Sequence, residues 1–179
     1  MMNLWSKMAK KLMLNFGCGN IQKKGYINID LHKIPGVDMV LDMEKYPYPF
    51  KDNSADKIAC ESVLQFLDDV GKTMEEFHRI LKPGGVLFVH VPHFTSKNTW
   101  KNPYQKRGFS YNTLDFFQKP KYYYTDWKFT KIKRKLVFGK KYAFWNWIIE
   151  PIANLFPILY EDSPLRIFPA LRIEVWLWK

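Results

Sequence analysis

Four short segments of the chain end in residues able to grip a polar ligand: Gly17 and Gly19 in LNFGCGN, Asp30 in INIDL, Asp42 in VLDM and Glu61 in ACESVL. Glycine lets the backbone approach a ligand without a Cβ in the way and permits positive φ. A carboxylate after a second strand can accept both hydroxyls of a ribose, and one after a third can take an adenine amino group. Singly these signals are weak, because GxG is common and a strand-end Asp is often a turn former. Their recurrence at the ends of successive segments is what carries weight. His93, in VPHF, adds a titratable side chain whose ordinary pKa of about 6.5 suits proton removal near neutrality. Glu61 is the other titratable candidate, and a loop histidine can equally cap backbone carbonyls. His90 sits two or three residues inside the preceding apolar run, and His32 and His78 read as surface residues.

To bring these groups together, the chain needs parallel strands with their carboxyl ends on one rim. Lys11 to Phe16 is a short apolar run into a glycine turn, and Tyr26 to Leu31, Val37 to Met43 and Ala55 to Leu64 each end on a polar residue. Asp68 to Leu81 spaces Val70, Met74, Phe77, Ile80 and Leu81 at helical intervals, stopped by Lys82-Pro83-Gly84-Gly85. Val86 to Val91 is a buried strand. Tyr111 to Phe117 predicts a helix, Trp127 to Phe138 a strand, Phe144 to Leu155 a helix broken at Pro151, and Leu171 to Trp178 a closing strand. A short helix over Met1 to Lys10, with Leu4, Trp5 and Met8 on one face, completes the reading. The expected fold is α/β: a Rossmann-like open, mostly parallel sheet with reduced first helices and a C-terminal antiparallel closing strand. In such sheets ligands bind beyond the carboxyl ends of the strands.

Length and composition fit one domain of 1–179, a core of 11–94 followed by a basic, aromatic acceptor-side region of 95–179. Apolar residues make up 47% and charged residues 25%, which excludes whole-chain disorder and fibres. Two cysteines cannot build a disulfide framework, no Cys/His spacing suggests a metal site, and no secretory signal or spanning segment is visible. The expectation is therefore a cytoplasmic protein without a metal. The net charge of +11 is lopsided: residues 1–92 hold twelve Lys/Arg against eleven Asp/Glu, and residues 93–179 hold sixteen against six. Six of seven tryptophans also lie in the second part, among Lys131, Lys133, Arg134, Lys135, Lys140 and Lys141. Basic plus aromatic composition suits an anionic partner, nucleic acid or a membrane surface, or else a solvated face over an aromatic core.

From Lys11 to Phe94 the chain resembles the class I S-adenosylmethionine-dependent methyltransferases, particularly those with a small catalytic core of the Methyltransf_11 type. LNFGCGN looks like the first motif, INIDL the second-strand acid, LDMEKYPYPFKDNSADKI the adenine-side segment, ESVLQFL the segment after strand four, and HRILKPGGVLFVHVP the helix, turn and strand five. The resemblance implies that Gly17, Cys18, Gly19 and Asn20 cradle the methionine and sugar portion of S-adenosylmethionine, and that Asp30 holds the ribose. It implies that Leu31 covers the adenine with Asp42 and Met43 on its edge, and that Glu61 and Ser62 lie near the methionine amino group or the reacting centre. The product would be S-adenosylhomocysteine. Asn15 stands where the family's opening motif has an acid, and only Asn20 to Gly25 and His32 to Gly36 separate the first three strands.

A sulfonium donor needs no metal, so catalysis on this reading is in-line positioning. The sequence lacks the Asn/Asp-Pro-Pro-aromatic signature of base-amine methylation, and Cys60 follows Ala59 rather than the proline of pyrimidine C5 methylation. Oxygen methylation of a small molecule, sugar or lipid-linked glycan is the expected reaction, with Tyr104, Arg107 and Tyr111 as candidate acceptor-pocket residues. The alternatives are a non-catalytic adaptor or an RNA-directed enzyme using the basic C-terminal half, or docking on an anionic membrane with Trp145 and Trp147 at the interface. A nicotinamide oxidoreductase is disfavoured because Asn20, Ile21 and Gln22 follow the glycines where GxGxxG needs a third.

Overall fold

A seven-stranded sheet runs through the protein in the order β3-β2-β1-β4-β5-β7-β6. The computed structural model describes residues 11–119, 125–139 and 143–179. Its strands are β1 (Met13–Phe16), β2 (Ile27–Asp30), β3 (Met39–Val40), β4 (Ala55–Glu61), β5 (Leu81–Pro92), β6 (Lys131–Phe138) and β7 (Ala170–Trp178). The first five are parallel; β7 is antiparallel to both β5 and β6. This is the expected α/β arrangement, with the closing strand inserted between β5 and β6. The short helix expected over residues 1–10 lies outside the described residues, as do Lys140 and Lys141.

Helix α1 (Val70–Ile80) starts where the Asp69 carboxylate accepts the Lys72 N–H at 2.8 Å, and buries Met74, Phe77 and Ile80. Glu76 and Arg79 on the same helix tie down the loop around Tyr48 and Phe50. Glu76 accepts the Tyr48 N–H at 2.6 Å, and Arg79 donates to the Tyr48 and Phe50 carbonyls. Burial alone would raise the Glu76 pKa, but the Arg79 guanidinium and the Tyr48 N–H together hold it below the ordinary value. A short helix, α2 (Lys97–Lys101), follows β5. The helix expected over Tyr111 to Phe117 is a 3₁₀ turn over Thr113–Phe117.

Between β1 and β2, and between β2 and β3, loops replace helices. Two buried asparagines make this possible. Asn15 donates to the Ile21 carbonyl and to Asn28 Oδ1, and Asn28 Oδ1 also accepts the Lys23 N–H at 2.8 Å. Side-chain amides thus satisfy loop backbone that a crossover helix would have satisfied internally. The residue that departs from the family's opening motif, Asn15, is the one that braces this loop.

The two faces of the sheet's far half differ. Leu87, Val89, Val91, Ile173, Val175 and Leu177 are buried, whereas Phe88, His90, Trp176 and Trp178 on the alternate positions are half-buried. Lys131 and Lys133 lie over the Trp178 and Trp176 rings, at 5.0 and 5.8 Å from the centroids. Part of the basic, aromatic composition is therefore used within the fold. His78, read as a surface residue, is instead wedged beside Trp127 with ring centroids 5.0 Å apart, because α1 packs against the segment leading into β6.

Helix α3 (Asn146–Leu155) continues through Pro151, where a break was expected, and ends at Phe156; a short helix, α4 (Pro157–Asp162), follows at once. Side chains anchor α3 from one side. Asn154 accepts the Leu136 N–H and donates to the Leu136 carbonyl, both at 2.8 Å; Glu150 accepts the Phe138 N–H at 3.0 Å; Asn146 donates to the Gly139 carbonyl. These three residues, four apart, cover the open edge of β6. Held this way, the helix does not depend on the single backbone bond that Pro151 cannot make.

Candidate functional site

The carboxyl ends of β1, β2 and β4 surround a cleft made of two adjoining cavities. The larger, about 490 Å³, is lined by Gly17, Asp30, Leu31, Asp42, Met43 and Ser62, with Val63, Phe66 and Leu67 adding apolar wall. The second, about 380 Å³, is lined by Asn15, Gly17, Cys18, Gly19, Asn20, Ile21, Glu61, Ser62 and His90. Every cofactor-side residue expected from the sequence borders one or both. Gly17 and Ser62 belong to both and form the neck between them.

Backbone conformation makes that neck. Gly17 has φ of +64°, and a Cβ there would lie 2.1 Å from a Val63 methyl, so only glycine fits. Ser62 takes φ of +59° without being glycine, and its N–H donates to the His90 carbonyl at 2.8 Å. A left-handed serine at a cleft is the kind of local strain that functional sites hold.

Asp30 is oriented from both sides: Oδ2 accepts the Gly19 N–H at 2.8 Å and Oδ1 accepts the His32 N–H at 3.2 Å. Each oxygen keeps a further lone pair for a diol. Lys23 Nζ lies 2.7 Å from Glu61 Oε1, an ion pair beside the smaller cavity. The cleft therefore offers an apolar slot, a carboxylate able to accept from vicinal hydroxyls and a second carboxylate, paired with Lys23, that can face an ammonium. These residues fit the parts of S-adenosylmethionine. Cys18 and Cys60 are both buried, and burial, reinforced by nearby Asp30 and Glu61 respectively, pushes both thiols up. Among the described residues, no group of three or more His, Cys, Asp or Glu could hold a metal ion.

His93, expected as a base, is placed elsewhere. Its side chain has no solvent-accessible surface; Nε2 lies 2.8 Å from Glu161 Oε1 and Nδ1 lies 2.7 Å from Thr95 Oγ1. With both nitrogens engaged, the ring joins the end of β5 to α4 and borders neither cavity. His90 does border the cleft, with Nδ1 3.6 Å from Glu61 Oε2. Burial, and then the Arg172 charge, hold its pKa below the ordinary value against the opposing pull of Glu61. A third cavity of about 240 Å³ opens on the other side of Ser62 and His90, lined also by Gln65, Phe66, Asn98 and Gln105. Gln65 Oε1 is buried there without a hydrogen-bond partner among the described residues. Tyr104 is exposed, Arg107 lines a separate apolar hollow and Tyr111 stacks under Arg134, so none of the three reaches this cavity. The sequence signal for His90 is its alternation: in β5 it shares a sheet face with Phe88, and it pairs with Glu61 across the β4 ladder.

Residues 22–89 match the family described as "Methyltransferase domain". The chain is 25% identical over 166 residues to a demethylmenaquinone methyltransferase of Chlorobaculum parvum, a match covering 82% of this chain and 58% of that protein. A solved S-adenosylmethionine-dependent methyltransferase from Archaeoglobus fulgidus superposes with a TM-score of 0.68 at 16% identity, covering 96% of this chain and 87% of that one. The Haemonchus contortus phosphoethanolamine N-methyltransferase 2, solved with S-adenosylhomocysteine, superposes with a TM-score of 0.55 at 16% identity, over 94% of this chain and 48% of that one. Residues 22–89 thus carry a match to a methyltransferase domain, and the fold is one shared with solved S-adenosylmethionine-dependent methyltransferases. The chain spans a little over half the length of its curated relative.

Proposed function

We propose that the protein transfers a methyl group from S-adenosylmethionine to a hydroxyl of an uncharged, hydrogen-bonding acceptor such as a sugar or small alcohol. The observation that carries this reading is that the ammonium-side cavity and the Gln65 cavity meet at Ser62 and His90. When bound, S-adenosylmethionine supplies a methyl group already activated on a sulfonium. Asp30 holds the ribose hydroxyls, Glu61 takes the ammonium, and Leu31, Met43 and Phe66 exclude water from the adenine. No side chain lining the Gln65 cavity carries a fixed charge, which suits a neutral acceptor oriented by the Gln65 and Asn98 amides. His90, kept neutral at pH 7 by its burial, can take the hydroxyl proton.

Calorimetry with S-adenosylhomocysteine tests the donor side. The wild-type protein is expected to bind, and Asp30→Ala to bind at least about tenfold more weakly, from losing hydrogen bonds to a charged group. Unchanged affinity in Asp30→Ala would remove the basis for this reading. A labelled-methyl screen against alcohols and sugars then tests the acceptor side.

A further inference from the structure

Helix α3 has its polarity reversed. Its polar stripe, Asn146, Glu150 and Asn154, faces inward onto the backbone of β6 and the turn after it. The opposite side carries Ile148 and Leu155, 66% and 71% exposed, with Trp147 beside them. A surface helix ordinarily buries its apolar stripe and presents its polar one to water. Here the sheet edge has claimed the polar side, so the apolar side is left facing outward. Helix α4 extends the face with Ile158 and Leu159, and the turn after it adds Ile167, 73% exposed. Exposed apolar residues on three successive elements are more than scattered surface residues ordinarily supply.

The charges around this face indicate what covers it. The acids of the two helices that could repel an anionic surface are mostly turned inward: Glu150 onto Phe138 N–H, and Glu161 onto His93 and the Tyr111 N–H. Asp162 alone of the acids on α3 and α4 is exposed. Lys135 flanks α3, with Nζ 3.9 Å from Glu150 Oε1, and leads into the exposed Lys131 and Lys133 along β6. Arg166 is exposed beside Ile167. Aromatic residues at one end, apolar residues across the middle and cations at the margin match a helix lying in a lipid headgroup boundary. Among the described residues no helix is long and apolar enough to cross a membrane, so any contact made by these helices is interfacial.

We propose that α3 and α4 dock the protein on an anionic lipid bilayer, apolar face inserted and Lys135 and Arg166 on the headgroups. The test is co-sedimentation of the full chain with vesicles of phosphatidylcholine alone or with about 30 mol% phosphatidylserine. Strong binding is expected only to the anionic vesicles and should weaken with salt. Ile148→Glu/Leu155→Glu should lose at least about tenfold in binding, and Lys135→Glu/Arg166→Glu should lose the preference for anionic lipid. Both variants change exposed residues, and unchanged S-adenosylhomocysteine affinity and melting temperature would show that their fold is intact. The proposal is overturned if the wild-type chain ignores both vesicles, or binds both alike. It is equally overturned if light scattering without lipid shows a dimer that Ile148→Glu/Leu155→Glu dissolves, or if that variant loses RNA binding while vesicle binding was never present.

Discussion

His90 and His93 sit three positions apart, yet their surroundings assign them opposite work. His93 spends both nitrogens on Glu161 and Thr95, and its value is structural. His90 keeps a face toward the cleft, and burial favours its neutral form. The sign of the consequence is definite: a base whose pKa is lowered stays active to lower pH than an ordinary histidine. The acid limb of kcat should therefore fall below the ordinary value of 6.5, as read from a pH–rate profile. His90→Gln should lower kcat by about a hundredfold while leaving S-adenosylhomocysteine binding largely intact, the pattern expected for a lost general base.

Helix α3 shows how an element can be recruited by what it covers rather than by its own apolar face. An uncovered β6 edge would present free N–H and C=O groups. Asn154 satisfies both such groups of Leu136. Asn154→Ala should cost about 2 kcal/mol in chemical denaturation, the usual scale for partly buried backbone groups left unpaired. S-adenosylhomocysteine affinity should be unaffected, because β7 lies between this edge and β5. The loops after β1 and β2 make the same point from the other end of the sheet, where Asn15 and Asn28 stand in for missing helices.

The molecule's response to pH sums the groups whose surroundings change on folding. Burial lowers the pKa of His78, aided by the Lys179 charge, and burial with Arg172 lowers that of His90. The unfolded chain therefore takes up protons below about pH 6.5 that the folded chain resists, so stability falls as pH drops through that range. Asp56, held low mainly by Lys82, and Glu76, held low by Arg79 and Tyr48 against burial, lose their contribution only in the carboxylate range. Urea unfolding at a series of pH values should show the histidine step first. His78→Gln should reduce its slope, and a slope identical to the wild type would contradict the placement of His78 beside Trp127.

The rim of the cleft is legible in the amino-acid order because it is local: glycines at 17 and 19, acids at or just after the strand ends and the RILKPGG turn are all set by steric and hydrogen-bonding rules within a few residues. The order of elements through β5, the reduced first helices and the closing strand follow from periodicity and loop length. Sequence alone leaves open every feature that depends on two distant segments meeting. Choosing between His90 and His93 requires knowing that Glu161 reaches back to the end of β5 and that Glu61 pairs beside His90. The continuity of α3 through Pro151, and the outward turn of its apolar side, require knowing that β6 ends the sheet and has backbone groups to satisfy. A periodic pattern reports which residues share a side of a helix; only packing decides which side faces in.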